Sequence, residues 1–178
     1  MRNVHRWKFS GSAMTRRKPL LVLLAIVAAM FAALQLIRPE RTNPPVDPSM
    51  RIDAHVTVPP DVAAILDRSC RDCHTHETRW PWYSHVAPPS LLLSRDVREG
   101  RDELNLSEWG EYDEETSDGQ LEEICTQVRE GNMPLLPYTW MHPASKLSVA
   151  DVTRLCDWTE RARAEVAARA QADEEGPN

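Results

Sequence analysis

The stretch Cys70-Arg71-Asp72-Cys73-His74 constrains this chain more than any other. Two thiols three positions apart can each add across one vinyl group of a haem, and the histidine directly after them is then held beneath the iron. A chain carrying such a group has to be built around it, because a porphyrin brings a large apolar surface into the core. Competing chemistries fit less well. A thioredoxin-like dithiol wants a βαβ pattern around the motif, and no run here alternates with period two. A zinc site could draw on Cys70, Cys73, His74 and His76, but it lacks a second Cys/His pair at the usual spacing. The spacing points to haem c, with Cys70 and Cys73 as thioether cysteines and His74 as the proximal iron ligand.

The sixth iron position has several candidates. Met133 lies in Gly131-Asn132-Met133-Pro134, where a glycine ends a helix and a proline stiffens the loop. A thioether presented there would pair with His74, saturate the iron and raise its potential, which favours electron transfer over oxygen chemistry. His142 and His85 are the rivals, and an open position is the third alternative. Met141 reads as packing material and Met50 as part of a linker. His76 stands too near His74 to reach the opposite face and reads as a surface or propionate-side residue. Arg79 and Arg101 are candidates for the propionates, since guanidinium forks suit carboxylates.

Charge is distributed unevenly. Six of the 21 basic residues fall in residues 1–18 with no acid, which leaves 15 basic against 27 acidic residues beyond, a net −12. Such an acidic globule would be repelled by a phosphate backbone, so nucleic acid is not expected as a partner. A redox partner with a basic docking surface is the natural complement, and the alternative is that the charge only keeps the domain soluble.

Residues 19–37 are almost wholly apolar and uncharged, and as a helix would span about 28 Å against roughly 30 Å of bilayer hydrocarbon. Basic residues before them predict a cytoplasmic N-terminus (1–18) and export of the rest to the periplasmic side of a bacterial inner membrane. A cleavable signal peptide is the alternative to an uncleaved transmembrane anchor, although its apolar region would be shorter. Met14 also makes a plausible start. Residues 38–60 carry six prolines and read as an extended linker holding the haem domain off the membrane.

From Asp61 onward the periodicity is helical. Val62, Ile65 and Leu66 predict a helix running into the Cys70 motif. A second helix starts at a Ser90 cap, carries Leu91, Leu92, Leu93 and Val97, and ends at Gly100. Leu121, Ile124, Cys125 and Val128 share one face of a third, ended by Gly131. A Ser148/Asp151 capping box opens the last, with Val149, Val152, Leu155, Cys156 and Trp158 on its apolar face, running to about Ala170. Residues 111–123 read as a solvated acidic loop and helix start. Cys125 and Cys156 each fall on an apolar face, so helix packing could bring them together as a disulfide in an oxidising compartment. The expected architecture is all-α: a small cytochrome c-like helical domain over 61–170, after a transmembrane helix and a Pro-rich linker, with a disordered tail at 171–178. Trp80, Trp82, Trp109, Trp140 and Trp158 are candidates for the haem wall.

Beyond the haem motif, Thr78-Arg79-Trp80-Pro81-Trp82-Tyr83-Ser84, Ala87-Pro88-Pro89-Ser90, Gly100-Arg101, Leu104-Asn105-Leu106-Ser107-x-Trp109, Gly131-x-Met133-Pro134, Tyr138 and His142-Pro143 occur in order along the chain. Together they resemble the small bacterial haem-binding domain family of anchored or exported monohaem c-type cytochromes. The likeness covers roughly residues 61–162, and Trp-Pro-Trp-Tyr-Ser is its most specific part. One departure is Leu91, where an aromatic often comes after the serine. The resemblance implies covalent haem and an extracytoplasmic location. The expected role is a membrane-anchored electron carrier rather than an enzyme, with a haem-based gas or redox sensor as the alternative and a haem peroxidase as a more distant one.

Overall fold

A computed structural model describes residues 17–175, so the basic stretch before Arg17 and residues 176–178 lie outside the described chain. Among the described residues the structure is entirely helical, as expected. The first helix, α1 (Arg17–Leu34), is the apolar segment, and its residues from Lys18 to Ala33 are exposed. Three i→i+3 turns carry the backbone on through Ile37. Among the described residues no helix is long and apolar enough to cross a membrane. The expected membrane-spanning helix over 19–37 is thus unsupported.

After α1 the chain runs extended to a short turn capped by Asp47 and then to α2 (Ile52–His55). This segment differs from the expected spacer. Ile52 and Val56 are 6 % and 2 % exposed and belong to the main core, and the Ile52 N–H donates to Leu106 O at 3.0 Å. Further back, Asn43 Nδ2 donates to Thr78 O at 2.9 Å and Arg41 to Ser84 O at 2.7 Å. The Gln35 side chain both accepts from Ala87 N and donates to Ala87 O. Six prolines favour an extended backbone, and here that backbone is laid along the globule rather than away from it.

Helix α3 (Pro60–Ser69) opens on proline at its first position, where no N–H is needed. It buries Val62, Ile65 and Leu66 and breaks at Cys70, whose φ of −120° and ψ of −37° leave the helical region. One further turn, α4 (Arg71–His74), completes the motif. Next comes α5 (Pro89–Glu103), which corrects two expectations. Ser90 is no cap: it is 2 % exposed and its N–H donates to Val86 O. Gly100 is no terminator either, since the helix passes through it to Glu103. Leu93 and Val97 of α5 pack with Tyr83 in a small second core.

Asp113 caps α6 (Glu114–Glu130) by accepting from Thr116 N at 2.8 Å, and Gly131 ends it in the left-handed region at φ 75°. The acidic stretch 111–123 is thus a loop and helix start as expected, with the helix beginning at Glu114. The short α7 (Leu136–Met141) buries none of its residues. The last helix, α8 (Val149–Glu175), runs past the expected end at Ala170, so residues 171–175 are helical rather than tail. Its capping box forms as expected: Asp151 Oδ2 accepts from Ser148 N at 2.9 Å, and Ser148 Oγ accepts from Asp151 N. Leu121, Ile124 and Val128 of α6 meet Leu155, Trp158 and Ala162 of α8 and the apolar face of α3. Each large side chain buried this way contributes about 1.5–3 kcal/mol. Cys125 and Cys156 form the disulfide that fastens α6 to α8, their Cα atoms 4.8 Å apart.

Candidate functional site

The break at Cys70 sets the geometry of the motif. The His74 N–H still donates to Cys70 O at 3.0 Å, so the second turn is closed and the imidazole is carried on a rigid element. Its Nδ1 lies 2.8 Å from Gly100 O and 3.0 Å from Leu104 O, both near the end of α5. Two carbonyl acceptors can be met only by a protonated Nδ1. Burial pushes the imidazolium form down, against the smaller pull of those carbonyls. A neutral ring with its proton on Nδ1 keeps its Nε2 lone pair for a metal. Gly100 is what lets α5 come this close. A Cβ there would stand 3.0 Å from Cys73 O and 3.2 Å from Cys73 Cβ.

A cavity of about 630 Å³ opens between this motif and α6, lined by Cys70, His74 and Met133 among others. That volume suits a cofactor site. Leu66, Leu104, Leu106, Ile124 and Val128 make its apolar wall. On the α6 side the lining runs from Thr116 through Gly119, Gln120, Glu123 and Gln127, the three-and-four spacing of one helix stripe. A Cβ on Gly119 would meet nothing within 4 Å, so the glycine leaves the α6 backbone open to a flat ligand. Burial pushes the Cys70 and Cys73 thiols up to about 12, so both stay protonated at neutral pH.

The structure brings Cys70, His74 and Met133 to one cavity and leaves the other candidates elsewhere. Cys73 packs against the second core, beside Trp80, Tyr83, Leu93 and Val97. His142 is stacked on Tyr138 and pairs with Tyr83, while His85 and Met141 are exposed. Several assignments are corrected. His76 is not a surface residue: it is 7 % exposed, with Nε2 2.9 Å from Asn105 Nδ2. Arg79 is spent on Asp72 and Asp67, and Arg101 holds the carbonyls of Thr75 and Thr42, so neither faces the cavity. None of the five tryptophans lines it. Trp109 and Trp158 are core, with Trp158 Nε1 donating to Thr57 O, and Trp82 and Trp140 are each 73 % exposed. Gly100, Leu104, Gly119 and Tyr138 carry roles here that the sequence alone does not assign. A glycine inside a helical run is the available signal for two of them.

An all-helical domain around one apolar cofactor cavity, with a neutral histidine, a thiol and a thioether at its wall, defines a small cofactor-binding protein. The residues fit a haem in particular, because Nε2 is kept free and Gly119 leaves room for a flat group. The chain belongs to the haem-binding domain family, whose model matches residues 29–161, and it is a haem-binding protein. The match begins inside α1 and takes in the whole segment expected to be a spacer. No curated protein and no solved structure matches the chain.

Proposed function

We propose that this protein is a monohaem c-type cytochrome that carries electrons at the periplasmic face of a bacterial inner membrane and catalyses no reaction of its own. The observation that carries this reading is the convergence of Cys70, His74 and Met133 on one apolar cavity, with His74 already oriented through Nδ1. Each thiol, Cys70 and Cys73, would add its S–H across one vinyl double bond, forming a carbon–sulfur bond and placing the hydrogen on the adjacent carbon. His74 Nε2 and Met133 Sδ are the atoms that would hold the iron. A haem held there would supply reversible one-electron redox chemistry. The protein's own part is to keep His74 neutral, to exclude water with the leucine wall, and to present Met133 from the end of α6.

Membrane attachment is supported by the exposed apolar surface of α1 and its continuation through Ile37. Glu103 and Glu123 at the cavity suit a partner that offers a basic surface. Denaturing the holoprotein and extracting it with acidified organic solvent tests the attachment: the colour is expected to stay with the polypeptide. Colourless polypeptide refutes it. A wild-type protein that is high-spin and binds carbon monoxide freely would place it among sensors or enzymes instead.

A further inference from the structure

Met133 sits on a loop held from one side by the end of α6, where the N–H groups of Asn132 and Met133 both donate to Gln127 O. What holds its other side is less obvious, because α7 buries none of its residues, and Leu136, Trp140 and Met141 stand 62 %, 73 % and 51 % exposed. Met133 itself packs against the main core, but apolar packing of α7 contributes little to holding the far side of the loop. One polar contact reaches directly into the haem motif. The Tyr138 hydroxyl donates to Asp72 Oδ2 at 2.7 Å. Asp72 is 8 % exposed and fixed independently, with Oδ1 accepting from Arg79 N at 3.1 Å and from Arg79 Nε at 3.0 Å. The Tyr138 ring stacks on His142 at 4.4 Å and 15°. His142 Nε2 in turn lies 2.7 Å from the Tyr83 hydroxyl, and Tyr83 packs beside Cys73.

We propose that Tyr138 is a positioning residue: its bond to Asp72, between the two motif cysteines, ties down the loop that keeps Met133 at the cavity. This rests on the reading of Met133 as an iron ligand, and the two can fail separately. Without the tie, the next anchors beyond Met133 are His142 against the Tyr83 hydroxyl and Ser145 O, which accepts from Ser69 Oγ, so the segment between them gains freedom while the rest of the fold stays intact. The hydroxyl acts through the loop, since Tyr138 does not line the cavity.

The test compares Met133→Ala, Tyr138→Phe and Trp140→Ala in the full-length holoprotein, reading carbon monoxide binding to the ferrous form and imidazole binding to the ferric form. Both ligands can enter only when the sixth position opens. Met133→Ala is expected to be high-spin and to bind both without delay. Tyr138→Phe keeps the stacked ring and loses only the hydroxyl. It should remain low-spin but bind both ligands about ten- to a hundredfold faster than wild type, the population shift expected on losing a hydrogen bond to a charged group. Trp140→Ala, an exposed change on the same helix, should match wild type. If Met133→Ala leaves the spectrum unchanged, the ligand reading fails and the inference falls with it. If Met133→Ala opens the site but Tyr138→Phe stays within about twofold of wild type, the positioning role alone is overturned. Equal acceleration by Trp140→Ala would also overturn it, since the effect would then belong to α7 and not to the bond.

Discussion

His74 Nδ1 lies 2.8 Å from the carbonyl oxygen of Gly100, twenty-six residues along the chain. The same glycine carries its Cα against Cys73, so one position sets both the spacing of α4 from α5 and the orientation of the imidazole. Gly100→Ala is expected to push the two helices apart. Its methyl would meet backbone, which cannot rotate aside, and the cost of overpacking exceeds the helix-propensity gain by about 1–2 kcal/mol. The measurements are the unfolding midpoint and the haem-to-protein ratio, and both should fall.

Cys70 and Cys73 are not equivalent in the folded chain, since Cys70 lines the cavity and Cys73 is packed in the second core. On the proposed covalent attachment, Cys73→Ala is therefore expected to retain haem through a single thioether, whereas Cys70→Ala should lose most of it. Mass spectrometry of the denatured variants reads the attached haem directly, and equal retention would contradict this ranking.

Reducing the Cys125–Cys156 bridge releases a closed loop with a sequence separation of 31, worth about 3–4 kcal/mol in the chain-entropy account. The Cys125→Ser, Cys156→Ser double variant should unfold at clearly lower denaturant. The cavity stripe of α6 lies away from the bridge, so the haem spectrum should persist below the new midpoint.

Asp151 is held down to about 2 by the Ser148 backbone N–H, helped by the Ser148 hydroxyl and Arg68. A carboxyl depressed in the folded state adds stability that is fully present above its unfolded value near 3.8, and that is lost as pH falls through about 2. Wild type should lose about 1–2 kcal/mol across that acid window beyond what Asp151→Asn loses. Unfolding curves measured at neutral pH and near pH 2 check the difference, and parallel losses in both proteins would remove Asp151 as the cause.

The parts legible in the sequence are those fixed by local chemistry. The cysteine–histidine spacing, the Ser148/Asp151 box, the Gly131 stop and the apolar face that brings Cys125 to Cys156 each depend on neighbours within a turn or two. What escapes depends on distant partners. Gly100 looks like a helix end because nothing nearby says that Cys73 lies against it. Arg79 and Arg101 look available because Asp72 and the Thr42 carbonyl reach them only through the fold. His76 reads as exposed from its position beside the motif, yet Asn105 and Ser107 enclose it. A proline-rich composition says that residues 38–60 are extended and is silent on what they lie against.

That last segment has a mechanical result. With Gln35 bonded to Ala87, Arg41 to Ser84, Asn43 to Thr78 and Ile52 seated in the core, the chain between α1 and α3 contains no slack. A pull on α1 is transmitted at once to the Trp82–His85 turn and to Ala87, beside the second core where Cys73 lies. These bonds hold the segment along the haem domain rather than as a free tether. Any partner would meet a site whose position relative to α1 is set by these bonds.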